Sequence, residues 1–107
     1  MGFYIELPHE YKGSKQDFIK ENGKVIALKD YSTVPPKVLF DTVRSHKNMI
    51  VACVEYPTHC GLNVSYSVRE LERVMSAPTK VELFEVSEEF VIEHCPHALA
   101  AMEESYE

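Results

Sequence analysis

Long hydrophobic runs are missing from this sequence of 107 residues. The longest uninterrupted apolar run extends from Met49 to Val54, whereas a helix that crosses a membrane needs about 20 apolar residues. The N-terminus also lacks the basic region and apolar stretch of a secretory signal. We therefore expect a cytoplasmic protein that does not cross a membrane.

Basic residues are scarce in the second half of the chain. Residues 51–107 carry 3 Lys or Arg against 11 Asp or Glu, and neither Lys nor Arg follows Lys80. Residues 1–50 carry 8 against 6, and the net charge of the chain is −6. Nucleic-acid binding draws most of its affinity from lysine and arginine, so we expect no direct binding to DNA or RNA.

Motifs that carry catalysis are also missing. The sequence contains no Gly-rich phosphate loop, no helical His pair and no Gly-x-Ser-x-Gly elbow. Glutamates are plentiful, but most fall on predicted helices, where a solvated face is their ordinary explanation. The sequence therefore favours a protein without catalytic activity and without a cofactor.

Cysteine is limited to Cys53, Cys60 and Cys95, which cannot all pair within one chain. A domain of this size does not need a disulfide, so free thiols in a reducing compartment are expected.

Histidine and cysteine cluster in the segments His59-Cys60 and His94-Cys95-Pro96-His97. Zinc prefers imidazole and thiolate ligands, and the candidate ligands are Cys60, His59, Cys95 and His97. Adjacent residues point in different directions and seldom reach one ion, however. We therefore predict no metal site and retain a zinc- or thiol-dependent protein that uses Cys60 and Cys95 as an alternative.

The whole chain, residues 1–107, is expected to form one domain. Its composition is 45% hydrophobic and 26% charged, which is typical of a globular chain. We predict an α+β fold in which helices pack on one face of a mainly antiparallel sheet. An N-terminal strand or hairpin and C-terminal helices complete this fold.

Apolar periodicity and capping residues locate the individual elements. Ser67 and Glu70 form a capping box, and Ser87 caps the helix that follows. The predicted strands cover residues 3–7, 25–28, 49–55, 62–66 and 80–86. The predicted helices cover residues 36–46, 67–76, 87–94 and a last segment that begins at Pro96.

The segment 14–28 has two interpretations. Ser14 could cap a short helix that ends at Asn22-Gly23, or residues 18–21 and 24–28 could form a hairpin across the same Asn-Gly. The hairpin is slightly favoured, because Asn-Gly between apolar runs is the stronger signal.

Residues 24–86 follow the order strand, helix, strand, strand, helix, strand, which is the split βαβ pattern of ferredoxin-like domains. Both crossover helices then share one sheet face. Their predicted buried stripes are Val38, Leu39 and Val43 in the first helix and Val68, Leu71 and Val74 in the second. This arrangement would place the most apolar strand, residues 49–54, at a sheet edge that needs a cover.

The acidic C-terminal part provides the main indication of function. We predict a small acidic protein-binding module, an inhibitor, adaptor or regulator, whose glutamates meet a basic surface of a macromolecular partner. The predicted partner-binding residues are Glu82, Glu85, Glu88, Glu89, Glu93, Glu103 and Glu104.

One alternative is a structural or oligomerising domain, in which the glutamates maintain solubility. A homo-oligomer is compatible with the sequence. A ligand-binding regulatory domain rests on the ferredoxin-like pattern alone.

Overall fold

A computed structural model describes residues 3–28 and 34–105. Within these ranges the chain forms five helices and one five-stranded antiparallel sheet, which confirms the predicted α+β class. The strands are β1 (Phe3–Tyr4), β2 (Gly23–Leu28), β3 (Asn48–Glu55), β4 (Cys60–Ser65) and β5 (Val81–Ser87). The helices are α1 (Lys15–Asn22), α2 (Pro36–Ser45), α3 (Val68–Met75), α4 (Glu88–His94) and α5 (Pro96–Ser105).

The strand order is β1-β4-β3-β5-β2, so β3 is the central strand. Val51 of β3 lies opposite Val64 of β4 on one side and opposite Phe84 of β5 on the other. All residues from Met49 to Val54 are buried, as expected for a strand that is covered on both faces. The order differs from the ferredoxin-like expectation, because the apolar run that would lie at an edge there lies in the middle of this sheet.

The two crossover helices share one face of the sheet, as predicted. α2 and α3 contact each other, α2 contacts β3, and α3 contacts β4. We call this side the α2 face. Ile50 of β3, its register partner Ser65 of β4 and, by alternation along β4, Asn63 project to it.

The opposite side, which we call the α1 face, is covered by α1 and α4. Gln16 of α1 donates a hydrogen bond to the Cys60 thiol at this face. The Phe18 ring of α1 packs against Phe90 of α4 with ring centroids 5.6 Å apart. Helices therefore cover both faces of the sheet, whereas the sequence predicted helices on one face only, because the central strand is apolar on both sides.

The buried stripe of α2 differs from the predicted one. Phe40 and Val43 are buried, whereas Val38 is 52% exposed. Residues two positions apart in a helix are separated by about 200° around its axis. Val38 therefore points away from the side that buries Phe40. In α3, Leu71 and Val74 are buried as predicted.

The segment before β2 is a helix, and the favoured hairpin interpretation is wrong. The Ser14 hydroxyl accepts a hydrogen bond from the Asp17 backbone N–H at 3.1 Å, and the Asp17 carboxylate accepts one from the Ser14 backbone N–H at 3.5 Å. This capping box begins α1. Gly23 has a φ of −144°, so it is the first residue of β2 and not a hairpin turn.

The other serine caps agree with the sequence, with one difference. Ser67 and Ser87 accept hydrogen bonds from the backbone N–H groups of Glu70 and Phe90, each at 3.1 Å. Glu70 does not return a bond to the Ser67 backbone, because its carboxylate binds Arg73. The box at α3 is therefore half formed.

Candidate protein-binding surface

The predicted glutamates do not form one continuous surface. Glu82 lies opposite Cys53, and Glu85 lies opposite Ile50. Because side chains alternate along a strand, Glu82 projects to the α1 face and Glu85 to the α2 face. Glu103 and Glu104 belong to α5, and their side chains lie outside the described part of the structure.

Two of the glutamates are engaged within the fold. The Glu85 carboxylate accepts a hydrogen bond from Asn48 Nδ2 at 2.7 Å, and His46 Nδ1 lies 3.4 Å away. The Glu88 carboxylate lies 3.9 Å from the Arg44 guanidinium. These contacts connect the end of α2 to β5 and the start of α4, so Glu85 and Glu88 have a structural role.

Helix α4 presents the remaining predicted glutamates on its outer side. Phe90 and Val91 are buried, whereas Glu89 and Glu93 are exposed and Ile92 is 46% exposed. Residues three and four positions apart are neighbours on a helix surface. Glu89, Ile92 and Glu93 therefore form one exposed strip, which we call the α4 strip.

Neither glutamate of the α4 strip is neutralised by a lysine or arginine within residues 3–28 and 34–105. Glu93 lies 3.9 Å from the ring of His94, which itself turns inward against the Phe18 ring. The sequence indicated the two carboxylates but not Ile92. The signal for Ile92 was its position three residues after Glu89 and one after the buried Val91.

The His and Cys residues do not assemble into a metal site in the described part of the chain, where no group of three or more potential ligands converges. Cys60 lies at the start of β4, whereas Cys95 is buried between α4 and α5. His59 stacks on the Tyr56 ring with centroids 4.9 Å apart, and His97 is exposed on α5.

The three thiols differ in their surroundings. Burial raises the pKa of Cys53 to about 11, and burial also raises the pKa of Cys95. Cys60 is partly exposed, and its sulfur accepts a hydrogen bond from Gln16 Nε2 at 2.6 Å. A reactive thiolate needs a lowered pKa, and neither buried thiol has one.

A polar cluster that the sequence did not indicate consists of Glu70, Arg73, Tyr4 and Tyr56. The two tyrosine rings lie beside Gly61, at the start of β4. Glu70 is only 4% exposed, and its carboxylate accepts a hydrogen bond from Arg73 Nε at 2.9 Å. A hydrogen bond with Tyr4 is the main cause of a raised pKa at Tyr56. Spacing alone gave no signal for this cluster, because its members come from β1, α3 and the β3–β4 turn.

Comparison of the chain with protein-family models, curated proteins and solved structures finds no match. Within residues 3–28 and 34–105, every helix is too short or too polar to span a bilayer.

Proposed function

We propose that this protein is a small binding module that uses the α4 strip to bind a basic surface of a partner protein, without catalysis. The observation that carries the proposal is the exposed Ile92 between the carboxylates of Glu89 and Glu93. An apolar side chain at the centre and charged groups at the rim are the usual arrangement of a protein interface.

The charge of the strip supports a basic partner. Exposed carboxylates attract such a partner during diffusion and disfavour acidic competitors, so they affect association rate and selectivity more than affinity. Ile92 contributes differently, because burying an apolar side chain slows dissociation. The two kinds of residue therefore give separable kinetic signatures.

The surroundings of Cys60 support a role without catalysis. A thiol nucleophile is ordinarily activated by a neighbouring base. The Cys60 sulfur meets the Gln16 amide, and the neighbouring His59 meets Tyr56 and the Thr58 hydroxyl. This arrangement provides a structural contact and not a nucleophile–base pair.

The test is affinity capture from the native cell lysate with the immobilised full chain, followed by kinetic measurements on the captured partner. Glu89→Lys/Glu93→Lys should slow association, and the association rate of the unaltered chain should fall with salt. Ile92→Ser should mainly speed dissociation. Glu10→Lys/Glu72→Lys is the matched control, since it makes the same charge change at exposed residues of the N-terminal loop and α3.

The proposal fails if the captured partner binds Glu89→Lys/Glu93→Lys and the control variant at equal rates. Thermal unfolding of each variant distinguishes loss of the interaction from loss of the fold.

A second candidate, the oligomerising domain, is favoured by the position of β2. In the described sheet β2 pairs only with β5 and forms an edge. An open edge can accept a strand from a second copy. A light-scattering mass of the pure protein tests this candidate, and a monomer at all concentrations would exclude it.

A further inference from the structure

A cavity of about 500 Å³ opens between α2 and the N-terminal turn of α3. Its volume falls within the range of small-molecule sites. Phe40 of α2 lies on one side, and Tyr66 and Val68 lie on the other. These side chains give the cavity apolar and aromatic walls. The cavity lies on the α2 face, so it is separate from the α4 strip on the α1 face.

The charged residues around the cavity leave one cation uncompensated. Lys37 and Asp41 line it, but they neutralise each other through an ion pair of 2.8 Å. Arg69 also lines it, is exposed, and forms no ion pair with a residue of the described ranges. A positive charge at a cavity in a chain of net charge −6 favours an anion at this position.

Backbone donors lie on the same side as Arg69. The Ser67 hydroxyl caps α3 through the Glu70 backbone N–H. The backbone N–H groups of Val68 and Arg69 belong to the first turn, where no acceptor exists within the helix. Free N–H groups and the helix dipole together favour an oxyanion at such a turn.

A buried polar group lies behind the aromatic wall. Ser65 immediately precedes Tyr66 and projects to the face that α2 and α3 cover. Its side chain is 0% exposed, and its hydroxyl has no hydrogen-bond partner among the described residues. A buried polar group in this state is costly. The Ser65 side chain does not itself line the cavity, so a water molecule between the two helices, and not the ligand, would satisfy it.

We propose that this cavity binds a small aromatic molecule that carries an oxyanion, with the ring between Phe40 and Tyr66 and the anion at Arg69 and the first turn of α3. This site is independent of the proposed α4 interaction, so either one can fail while the other stands.

The test is a titration of the ¹⁵N-labelled full chain with phenyl phosphate, followed by ¹H–¹⁵N NMR. Saturable shifts should appear at Ser67, Val68 and Arg69, with the millimolar affinity that is usual for a fragment of this size. Inorganic phosphate and phenol, added separately, should each bind more weakly, because each supplies only one of the two interactions.

Two variants locate the site. Arg69→Gln should weaken phenyl phosphate binding by about tenfold, since it removes a charge-assisted hydrogen bond. Lys80→Gln is the matched control, because it removes one exposed positive charge outside the cavity lining. Val68→Phe should block binding by filling the cavity, and its own spectrum verifies its fold.

The proposal is overturned if phenyl phosphate gives no saturable shifts or shifts residues outside the cavity. Equal affinities of Arg69→Gln and Lys80→Gln would also overturn it, and so would phosphate alone binding as well as phenyl phosphate.

Discussion

The buried carboxylate of Glu70 in α3 accepts a hydrogen bond from Nε of Arg73 at 2.9 Å, one turn later on the same helix. Removing Arg73 would leave this carboxylate buried without its cation. We expect Arg73→Met to lower the free energy of unfolding by about 1 to 3 kcal/mol, measured by urea denaturation. Adding Glu70→Gln should recover part of the loss. The control is Arg69→Met on the same helix, which removes an exposed arginine and should cost little.

Leu71 is 0% exposed and belongs to the core that lies between α3 and the sheet. We expect Leu71→Ala to cost about 2 to 5 kcal/mol of stability, as for other buried leucines. Val38→Ala is the informative comparison, because the periodicity of α2 placed Val38 in the core and the structure exposes it. Denaturation midpoints that shift equally for both variants would contradict the described phase of α2.

Gly23 is in close contact with the neighbouring strand. A Cβ atom at this position would lie 2.7 Å from Val86 Cγ1 and 3.1 Å from the Glu85 carbonyl oxygen. Val86 is buried and cannot easily move away, so Gly23→Ala should destabilise the protein by about 1 to 3 kcal/mol. Gly61→Ala should cost less, since the atoms nearest to its Cβ would belong to the rings of Tyr4 and Tyr56, at 3.2 Å. Thermal unfolding of the two variants tests this order.

We expect the protein to lose stability in alkaline solution because the Cys53 thiol is buried. Burial raises its pKa from 9.0 to about 11 in the folded chain. The unfolded chain therefore releases this proton at a lower pH, and deprotonation favours unfolding. The contribution is complete below pH 9 and is lost as the pH rises toward 11. Urea unfolding at several pH values should show this decline, and the pH dependence should be shallower for Cys53→Ala.

We predict that Cys60, His59, Cys95 and His97 do not bind zinc. We expect less than one equivalent of zinc in the purified protein and no change in thermal stability on chelation. Elemental analysis and unfolding with and without chelator measure these quantities. Stoichiometric zinc with unfolding on chelation would contradict the prediction, because structural zinc contributes directly to folding.

Local signals in the sequence were sufficient for most elements. The caps Ser67 and Ser87 predicted α3 and α4, and the apolar run of β3 predicted the central strand. Each of these signals depends only on residues that are close together in the sequence. Asn22-Gly23 was misinterpreted for the same reason. A dipeptide suited to a turn can also end a helix, and the contact of Gly23 with Val86 that decides between them is made by a distant strand.

The binding surface was less predictable than the fold. The charges of Glu85, Glu88, Glu89 and Glu93 can be read from the sequence, but their partners cannot. Asn48 and His46 engage Glu85, and Arg44 lies close to Glu88, through contacts between different elements. A charge count treats all four glutamates alike, whereas tertiary structure separates the structural pair from the exposed one.

The place of β5 in the sheet has a consequence for synthesis on the ribosome. Among the described strands β5 is the last to emerge, yet it lies between β3 and β2. A nascent chain that ends before Val81 can pair β3 with β4, but one edge of β3 stays open and β2 has no partner. Folding must then insert β5 between two waiting strands, a nonlocal step that we expect to be slow. During that interval the apolar edge of β3 is the part of the nascent chain most in need of protection from aggregation.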